Sequence, residues 1–290
     1  MNSPKVSIGI PTFNRCKQLA IAIQSALNQT YRNIEIIIVD NASTDATEEI
    51  CRRGVLNDSR IIYFRNSVNI GATNNFNKLL ALASGQYFMW LGDDDYIDDS
   101  YIEECMEVVI NCPQVVLVSG SPLYYKSKKF SYQGKIINIS DKSSFIRIKK
   151  YYRSVRDNGI FYGLFNLKLI KHQEIPDVLG GDWHFVASVI QHGHVRMIDS
   201  THIHRELGGA SESYEKLVAA YRLPKVAVLV PFLFIALSFW SYFDLGFRST
   251  FLSKFEKSSI FYTIFSRNSA HFAYLFLCWI RKTLTLKSRQ

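Results

Sequence analysis

The segment Ile34-Glu35-Ile36-Ile37-Ile38-Val39 is a nearly unbroken β-branched run that ends at Asp40. β-branched side chains favour an extended backbone, and a strand without polar alternation must be covered on both faces. Such a strand belongs to a sheet layered between helices, and the flanking sequence supplies them. Residues 6–10 read as a strand, 19–27 as a helix, and 45–53 as a helix with Asp45, Glu48 and Glu49 in its first turn. A short strand follows at 61–64, then a helix at 73–84 with Phe76, Leu79, Leu80 and Ala83 at helical spacing. Residues 87–91 form a strand, 101–110 a helix and 115–118 another strand. This alternation predicts an α/β fold with a mostly parallel sheet and helices on both faces. Over 121–170 the alternation is lost; 184–191 reads as a helix and 198–205 as a short strand or extended loop.

In sheets of this kind, ligands bind beyond the carboxyl ends of the strands. Three polar segments fall there: 11–15, 40–45 and 93–95. The last is Asp93-Asp94-Asp95, which follows the apolar run Tyr87-Phe88-Met89-Trp90-Leu91 after Gly92. Three adjacent carboxylates repel one another. A divalent cation removes that penalty, since Mg²⁺ and Mn²⁺ take carboxylate oxygens and keep positions open for phosphates. The alternative is a solvated turn before an acidic helix start, because Asp98, Asp99 and Glu103 follow.

The chain has 290 residues, 48% of them hydrophobic, which excludes a disordered or collagen-like protein. Its net charge of +9 is concentrated after Lys225, so a nucleic-acid surface on the main domain is not indicated. Five scattered cysteines without a Cys-x-x-Cys pair argue against a disulfide framework and for a reducing compartment. The first apolar run, 6–10, is too short for a signal peptide. The late histidines lie on different expected elements and form no H-E-x-x-H motif.

Residues 226–243 carry no charge and contain Pro231; a second apolar run, 272–280, precedes Arg281, Lys282, Lys287 and Arg289. Basic residues and aromatics at apolar ends favour a membrane. The expected organisation is therefore a domain at 1–222, with halves 1–120 and 121–222, and a helical membrane-associating tail at 223–290. Whether 226–243 spans the bilayer or lies in its interface stays open, and a pair of helices packed on the domain is the plainer alternative.

Taken together, V-S-I-G-I-P-T-F-N-R (6–15), V-D-N-A-S-T-D (39–45), N-I-G-A-T-N-N-F-N (69–77) and G-Q-Y-F-M-W-L-G-D-D-D (85–95) resemble the family 2 glycosyltransferases, which have the GT-A fold. The resemblance covers about 6–213. It implies transfer of a sugar from a nucleotide sugar, a UDP- or dTDP-sugar, to a hydroxyl of a sugar or lipid-linked sugar acceptor, with inversion and with Mn²⁺ or Mg²⁺. It also implies a place at the cytoplasmic face of a bacterial inner membrane, in surface polysaccharide or glycolipid assembly.

The same resemblance implies residue roles. Asp40 matches the aspartate that recognises the nucleobase, with Pro11, Thr12, Asn14 and Arg15 beside it; a turn or helix cap is its alternative role. Asn69 and Gly71 lie where relatives face the phosphates, and Asp93 joins the nucleotide set. Asp94 is the leading metal ligand, with Asp95 and His204 as further candidates and Arg205 as a phosphate contact in a flexible segment at 203–211. Asp182, opening a helix after Gly180-Gly181, matches the catalytic base, although a helix N-cap would also place an aspartate there. Two positions depart from the family. Gly92 stands where the first carboxylate of D-x-D-D is usual, and Phe76 where many relatives carry arginine. No Q-x-x-R-W follows Asp182, so single addition is expected rather than polymerisation. Two other classes compete: a nucleotide-sugar-binding module that has lost catalysis, and a nucleotidyltransferase. The second usually opens with a Gly-rich basic loop, which 11–15 is not.

Overall fold

The computed structural model describes residues 3–208, 213–244 and 252–271. Strands and helices alternate from the start: β1 (Val6–Thr12), α1 (Cys16–Leu27), β2 (Ile34–Asp40), α2 (Thr47–Asn57), β3 (Ile61–Arg65), α3 (Ala72–Leu82) and β4 (Tyr87–Trp90). The two-residue β5 (Tyr96–Ile97) and α4 (Tyr101–Asn111) follow, then β6 (Val115–Lys126), β7 (Lys129–Gln133), α5 (Ser144–Ser154), β8 (Leu164–Asn166) and α6 (Leu167–Ile170). The chain continues through α7 (Gly181–Ile190), β9 (His194–Glu206), α8 (Tyr214–Ala220), α9 (Pro231–Asp244) and α10 (Lys254–Phe265). Packing divides it into two units. The first comprises residues up to Asp177 together with Asp182–Gly208; the second comprises Val178–Gly181 and the described residues from Ser213 onward.

The first unit is built on a nine-stranded sheet of order β3-β2-β1-β4-β8-β6-β9-β5, with β7 pairing on β6. β1 and β2 are buried along their whole length, mostly apolar, with Glu35 paired to Lys5 and Ser7. The expectation of a mostly parallel sheet is corrected here. β1–β2, β1–β4, β2–β3 and β6–β9 are parallel, but β4–β8, β6–β8, β6–β7 and β5–β9 are antiparallel, so the sheet is mixed. The reason is local. Parallel pairing needs a long crossover, whereas β6 and β7 are joined only by Ser127 and Lys128, both at positive φ (52° and 64°). The stretch 203–206, expected to be flexible, is the end of β9, which pairs with β6 from His194 to Glu206. Residues 209–212 lie outside the described residues.

Two packing features fix the site. α1 buries Leu19, Ala22, Ile23 and Ala26 on one face. Gly9 permits close approach on the same sheet, because a Cβ there would meet the Phe88 ring at 2.9 Å and Leu79 Cβ at 3.1 Å. Further along, Trp90 anchors an aromatic core. It stacks on Phe161 at 4.7 Å and meets Phe165 and Phe185 edge-on at 5.7 and 5.3 Å. Trp90 ends β4 just before the acidic triplet, and Phe185 lies on α7 three residues after Asp182. One cluster therefore holds both carboxylate-bearing segments.

In the second unit α9 and α10 bury Phe232, Ile235, Phe239, Phe243, Ile260 and Ile264. Ser253 and Glu256 form a reciprocal capping box at the start of α10. The apolar run 226–243 is not one helix: a 3₁₀ turn at Lys225–Val228 precedes α9, which starts at Pro231. The 14 residues of α9 rise only about 21 Å, against a hydrocarbon core of about 30 Å. Among the described residues no helix is long and apolar enough to cross a membrane. The run 272–280 and the basic residues after it lie outside the described residues.

Candidate active site

The carboxyl ends of β2, β1 and β4 lie side by side, and their loops are joined by hydrogen bonds. Thr12 pairs in register with Asp40. Asp40 accepts from Ser43 N–H at 2.8 Å and from the Tyr63 hydroxyl at 2.9 Å, with Arg65 Nε at 3.4 Å. Its carboxylate is fully buried, whereas the Arg65 side chain is about one-third exposed beside it. Ser43 Oγ in turn accepts from Asn14 N–H at 2.9 Å, and Asn14 Oδ1 accepts from Thr44 N–H at 2.7 Å. Asn14 holds a left-handed backbone, φ 53°, which asparagine tolerates well. Burial works against the charge of Asp45, but the Thr47 hydroxyl and the Cys16 and Thr47 N–H groups hold its pKa down to about 2.

Asn69 and Gly71 reach the same edge through amides that sequence reasoning did not single out. Asn41 Nδ2 donates to Asn69 Oδ1 at 2.8 Å and lies 3.3 Å from Gly71 O, while Asn41 Oδ1 accepts from Ile70 N–H. Asn66 bridges Asn41 and Asn75, and Asn75 donates to Val39 O at the end of β2. The signal was the asparagine density of 66–77, which is costly to bury unless every amide is paired.

The three aspartates of the triplet have different partners. Asp93 accepts from Thr12 Oγ1 at 2.8 Å and lies 3.4 Å from Arg15. Arg15 also bonds Asp94. Asp95 is buried and takes Arg205 Nε at 3.1 Å and Glu206 N–H at 3.3 Å. Burial raises the pKa of Asp93 to about 6, opposed by Arg15 and reinforced by Asp94. Burial also raises that of Asp95, with Arg205 opposing. Arg205 lies over the Tyr162 ring at 4.0 Å and near Tyr124. Pro11 pairs with Val39 one residue before the end of β1, and Gly92 is packed so tightly that a Cβ would stand 2.7 Å from Asp95 Oδ2 and 3.2 Å from Asp94 Oδ1.

Asp182 sits in the first turn of α7 and accepts from Asn158 Nδ2 at 2.7 Å. Burial raises its pKa; the Asn158 amide, the N–H groups of Trp183 and Asp182 itself, and Arg205 oppose the rise. Burial raises the pKa of the Tyr162 phenol; Arg205 opposes the rise, and Asp95, Asp94 and Asp182 add to it. Contacts link the two segments: Arg205 bonds Asp95 and lies over the Tyr162 ring, and Asn158, which opens the turn Gly159–Tyr162, bonds Asp182.

His204 stands differently from its sequence expectation. Its Nε2 lies 2.7 Å from Asp98 and its Nδ1 3.0 Å from the Tyr125 hydroxyl, and the ring stacks on Tyr96 at 4.3 Å. Both nitrogens are engaged, so neither is free to ligate a metal in this arrangement. Among the described residues no three His, Cys, Asp or Glu side chains converge as a ready-made metal cage. The carboxylates still fit a metal that completes its shell with donor phosphates, since Mg²⁺-type sites often use only one or two protein carboxylates. Asp94 is the most accessible, its side chain 26% exposed against 11% for Asp93 and 2% for Asp95.

The comparisons with known proteins agree with this geometry. The "Glycosyl transferase family 2" profile matches residues 7–173, so the chain belongs to that family. It is 32% identical over 184 residues to the GalNAc(5)-diNAcBac-PP-undecaprenol beta-1,3-glucosyltransferase of Campylobacter jejuni, covering 62% of this chain and 57% of that protein. It is 47% identical over 92 residues to the UDP-Glc:alpha-D-GlcNAc-diphosphoundecaprenol beta-1,3-glucosyltransferase WfaP of Escherichia coli, covering 31% and 36%. Across four curated relatives that it matches, the chain spans between 22% and 60% of their length. Among solved structures, S. aureus TarS 1–349 with UDP superposes at TM-score 0.64 and 16% identity over 92% of this chain and 72% of that one. The mannosyltransferase PcManGT of Pyrobaculum calidifontis, with GDP-Man and Mn²⁺, does so at TM-score 0.57 and 16% identity over 98% and 81%. At these identities the structures establish a shared fold.

Proposed function

We propose that this glycosyltransferase adds a single sugar, with inversion, from a uridine or thymidine diphosphate sugar to a hydroxyl of a lipid-diphosphate-linked acceptor. The observation that carries the reading is a chain of contacts: Arg205 bonds Asp95 and lies over the Tyr162 ring, and Asn158, which opens the short turn ending at Tyr162, bonds Asp182. The names of the undecaprenyl-linked relatives support the acceptor class.

The donor lies along the loops after β1, β2 and β4. Arg65 and Ser43, over the buried Asp40, face the base; Thr12, Asn14 and Arg15 border the ribose and diphosphate, with Asn69 and Gly71 closing the edge. Asp94, with Asp93, would hold a divalent cation. When bound, that cation offsets the charge gained by the departing diphosphate. Asp182 accepts the acceptor hydroxyl proton while that oxygen forms its bond to the anomeric carbon. The bond from that carbon to the diphosphate oxygen breaks, and the nucleoside diphosphate leaves with the electron pair. A carboxylate raised by burial is a stronger base than a free one, which suits this step.

The second unit is proposed to rest on the cytoplasmic face of the membrane that holds the acceptor. Phe255 and Tyr262 of α10 are 80% and 69% exposed, and the chain from Lys225 onward is strongly basic.

A panel of nucleotide sugars, each with Mn²⁺ and followed by thermal unfolding, tests the donor assignment. UDP- or dTDP-sugars should raise the midpoint and GDP- or CMP-sugars should not, because a ligand specific to the native state stabilises it. No shift with any donor overturns the assignment.

A further inference from the structure

The acidic triplet is balanced by two arginines that differ in freedom. Arg205 is caged: its guanidinium lies over Tyr162, bonds Asp95 and reaches Tyr124, and its side chain is 18% exposed. Arg15 is 37% exposed, lies in the loop between β1 and α1, and meets Asp93 and Asp94. Asp94 is also the carboxylate best placed for a metal. One oxygen of Asp94 therefore has two competing cations. Position 76 supplies no third, since Phe76 packs toward Trp90 and Phe161 at 6.4 and 6.1 Å.

We propose that Arg15 is an exchange cation. Without donor it neutralises Asp94; when a nucleoside diphosphate arrives with its divalent cation, Arg15 releases Asp94 to the metal and turns to the diphosphate. Arg15 then does in the liganded site what position 76 cannot. The inference rests on the transferase reading of the site but concerns the order and coupling of binding.

The consequence is thermodynamic. Metal alone must displace Arg15 from Asp94, and metal with diphosphate gives Arg15 a new partner. Each ligand therefore raises affinity for the other by the same factor. Removing the guanidinium removes the competitor for the metal and the contact for the phosphate, so the two affinities move in opposite directions. An arginine that merely holds the loop in shape would weaken both.

The test uses the full chain, Arg15→Gln and Arg15→Lys. Mn²⁺ binding without nucleotide is read from the free-ion electron paramagnetic resonance signal, and UDP binding at saturating Mn²⁺ from calorimetry. Arg15→Gln should bind Mn²⁺ about tenfold tighter and UDP about tenfold more weakly, the scale of one charged hydrogen bond. The factor by which UDP enhances Mn²⁺ binding should shrink, and Arg15→Lys should fall between. Unfolding midpoints check that the variants are folded. Unchanged or weaker Mn²⁺ binding in a folded Arg15→Gln that still binds UDP overturns the exchange role alone. Failure of the wild-type protein to bind either ligand overturns both the exchange and the transferase reading.

Discussion

Asn158 donates from Nδ2 to Asp182 Oδ2 at 2.7 Å, and it does so from a left-handed backbone at φ 48°. Tyr151 donates its hydroxyl to Asn158 Oδ1 at 2.6 Å. With its oxygen already accepting, the amide must turn its N–H₂ toward Asp182. The carboxylate is thus held from one side, and its charged form keeps a donor inside a buried site.

This arrangement fixes a pH dependence. Burial raises the Asp182 pKa and the Asn158 N–H counteracts that rise. Asn158→Ala removes a donor to the charged form, so the pKa should move further up. The base must be ionised to act, so the acid limb of kcat/KM should shift to higher pH while UDP affinity stays close to wild type. A limb that does not move would show that Asp182 is not the titrating group.

Gly92→Asp restores the carboxylate usual in the family, yet it should impair this protein. A Cβ at that position stands 2.7 Å from Asp95 Oδ2 and 3.2 Å from Asp94 Oδ1, and the new charge would be the fourth of one sign. The expected result by calorimetry is weaker UDP–Mn²⁺ binding and a lower unfolding midpoint. Tighter binding would mean that the triplet has room the structure does not show.

Asp93 offers a test of charge stored for function. Its folded pKa of about 6 lies above the ordinary carboxylate value, with burial as the main cause. The native state therefore holds this proton more tightly than the unfolded one, and this group's stability contribution falls as pH rises from about 4 to 6. Asp93→Asn should raise the ligand-free midpoint at pH 7, roughly 2–4 °C per kcal/mol recovered, with the gain fading near pH 4. The same variant should bind UDP–Mn²⁺ more weakly. A lower midpoint at pH 7 would contradict the sign.

The half of the fold read best from sequence is the half where pattern and pairing coincide. Ile34–Asp40 is buried on both faces, and its nearly unbroken apolar run says so. β9 is half-polar, because its outward residues include Arg196, Asp199 and Ser200, and its register against β6 shifts at Gly120/Ser121, so 198–205 reads from sequence as no more than a short strand or extended loop. The loops 11–15, 40–45 and 93–95 were legible as one edge because strand ends dictate where they lie. Their internal partners were not. Nothing in spacing tells that Arg15 reaches Asp94 rather than solvent, that Asp40 is sealed by Tyr63 and Ser43, or that Asp98 occupies His204. Asn158, far from any recognisable motif, becomes a partner of Asp182 only when α7 packs on the Trp90 cluster.

The second unit carries its own expectation. Phe255 and Tyr262 are largely exposed, so Phe255→Ser with Tyr262→Ser should leave the unfolding midpoint unchanged. Cosedimentation with anionic phospholipid vesicles should fall in that double variant, and wild-type binding should weaken as salt rises. Equal sedimentation of both proteins would place the contact elsewhere.

The account turns most directly on Asp182. Wild-type protein and Asp182→Asn are each incubated with Mn²⁺, the UDP-sugar that stabilises the fold best, and an undecaprenyl-diphosphate-linked sugar acceptor, and the product is quantified by mass and its anomeric configuration by NMR. The account predicts one added sugar of inverted configuration from the wild type. It predicts loss of at least about a hundredfold in rate for Asp182→Asn, the scale of a general base, with UDP affinity retained. Undiminished transfer by a folded Asp182→Asn, or a product of retained configuration, would contradict it.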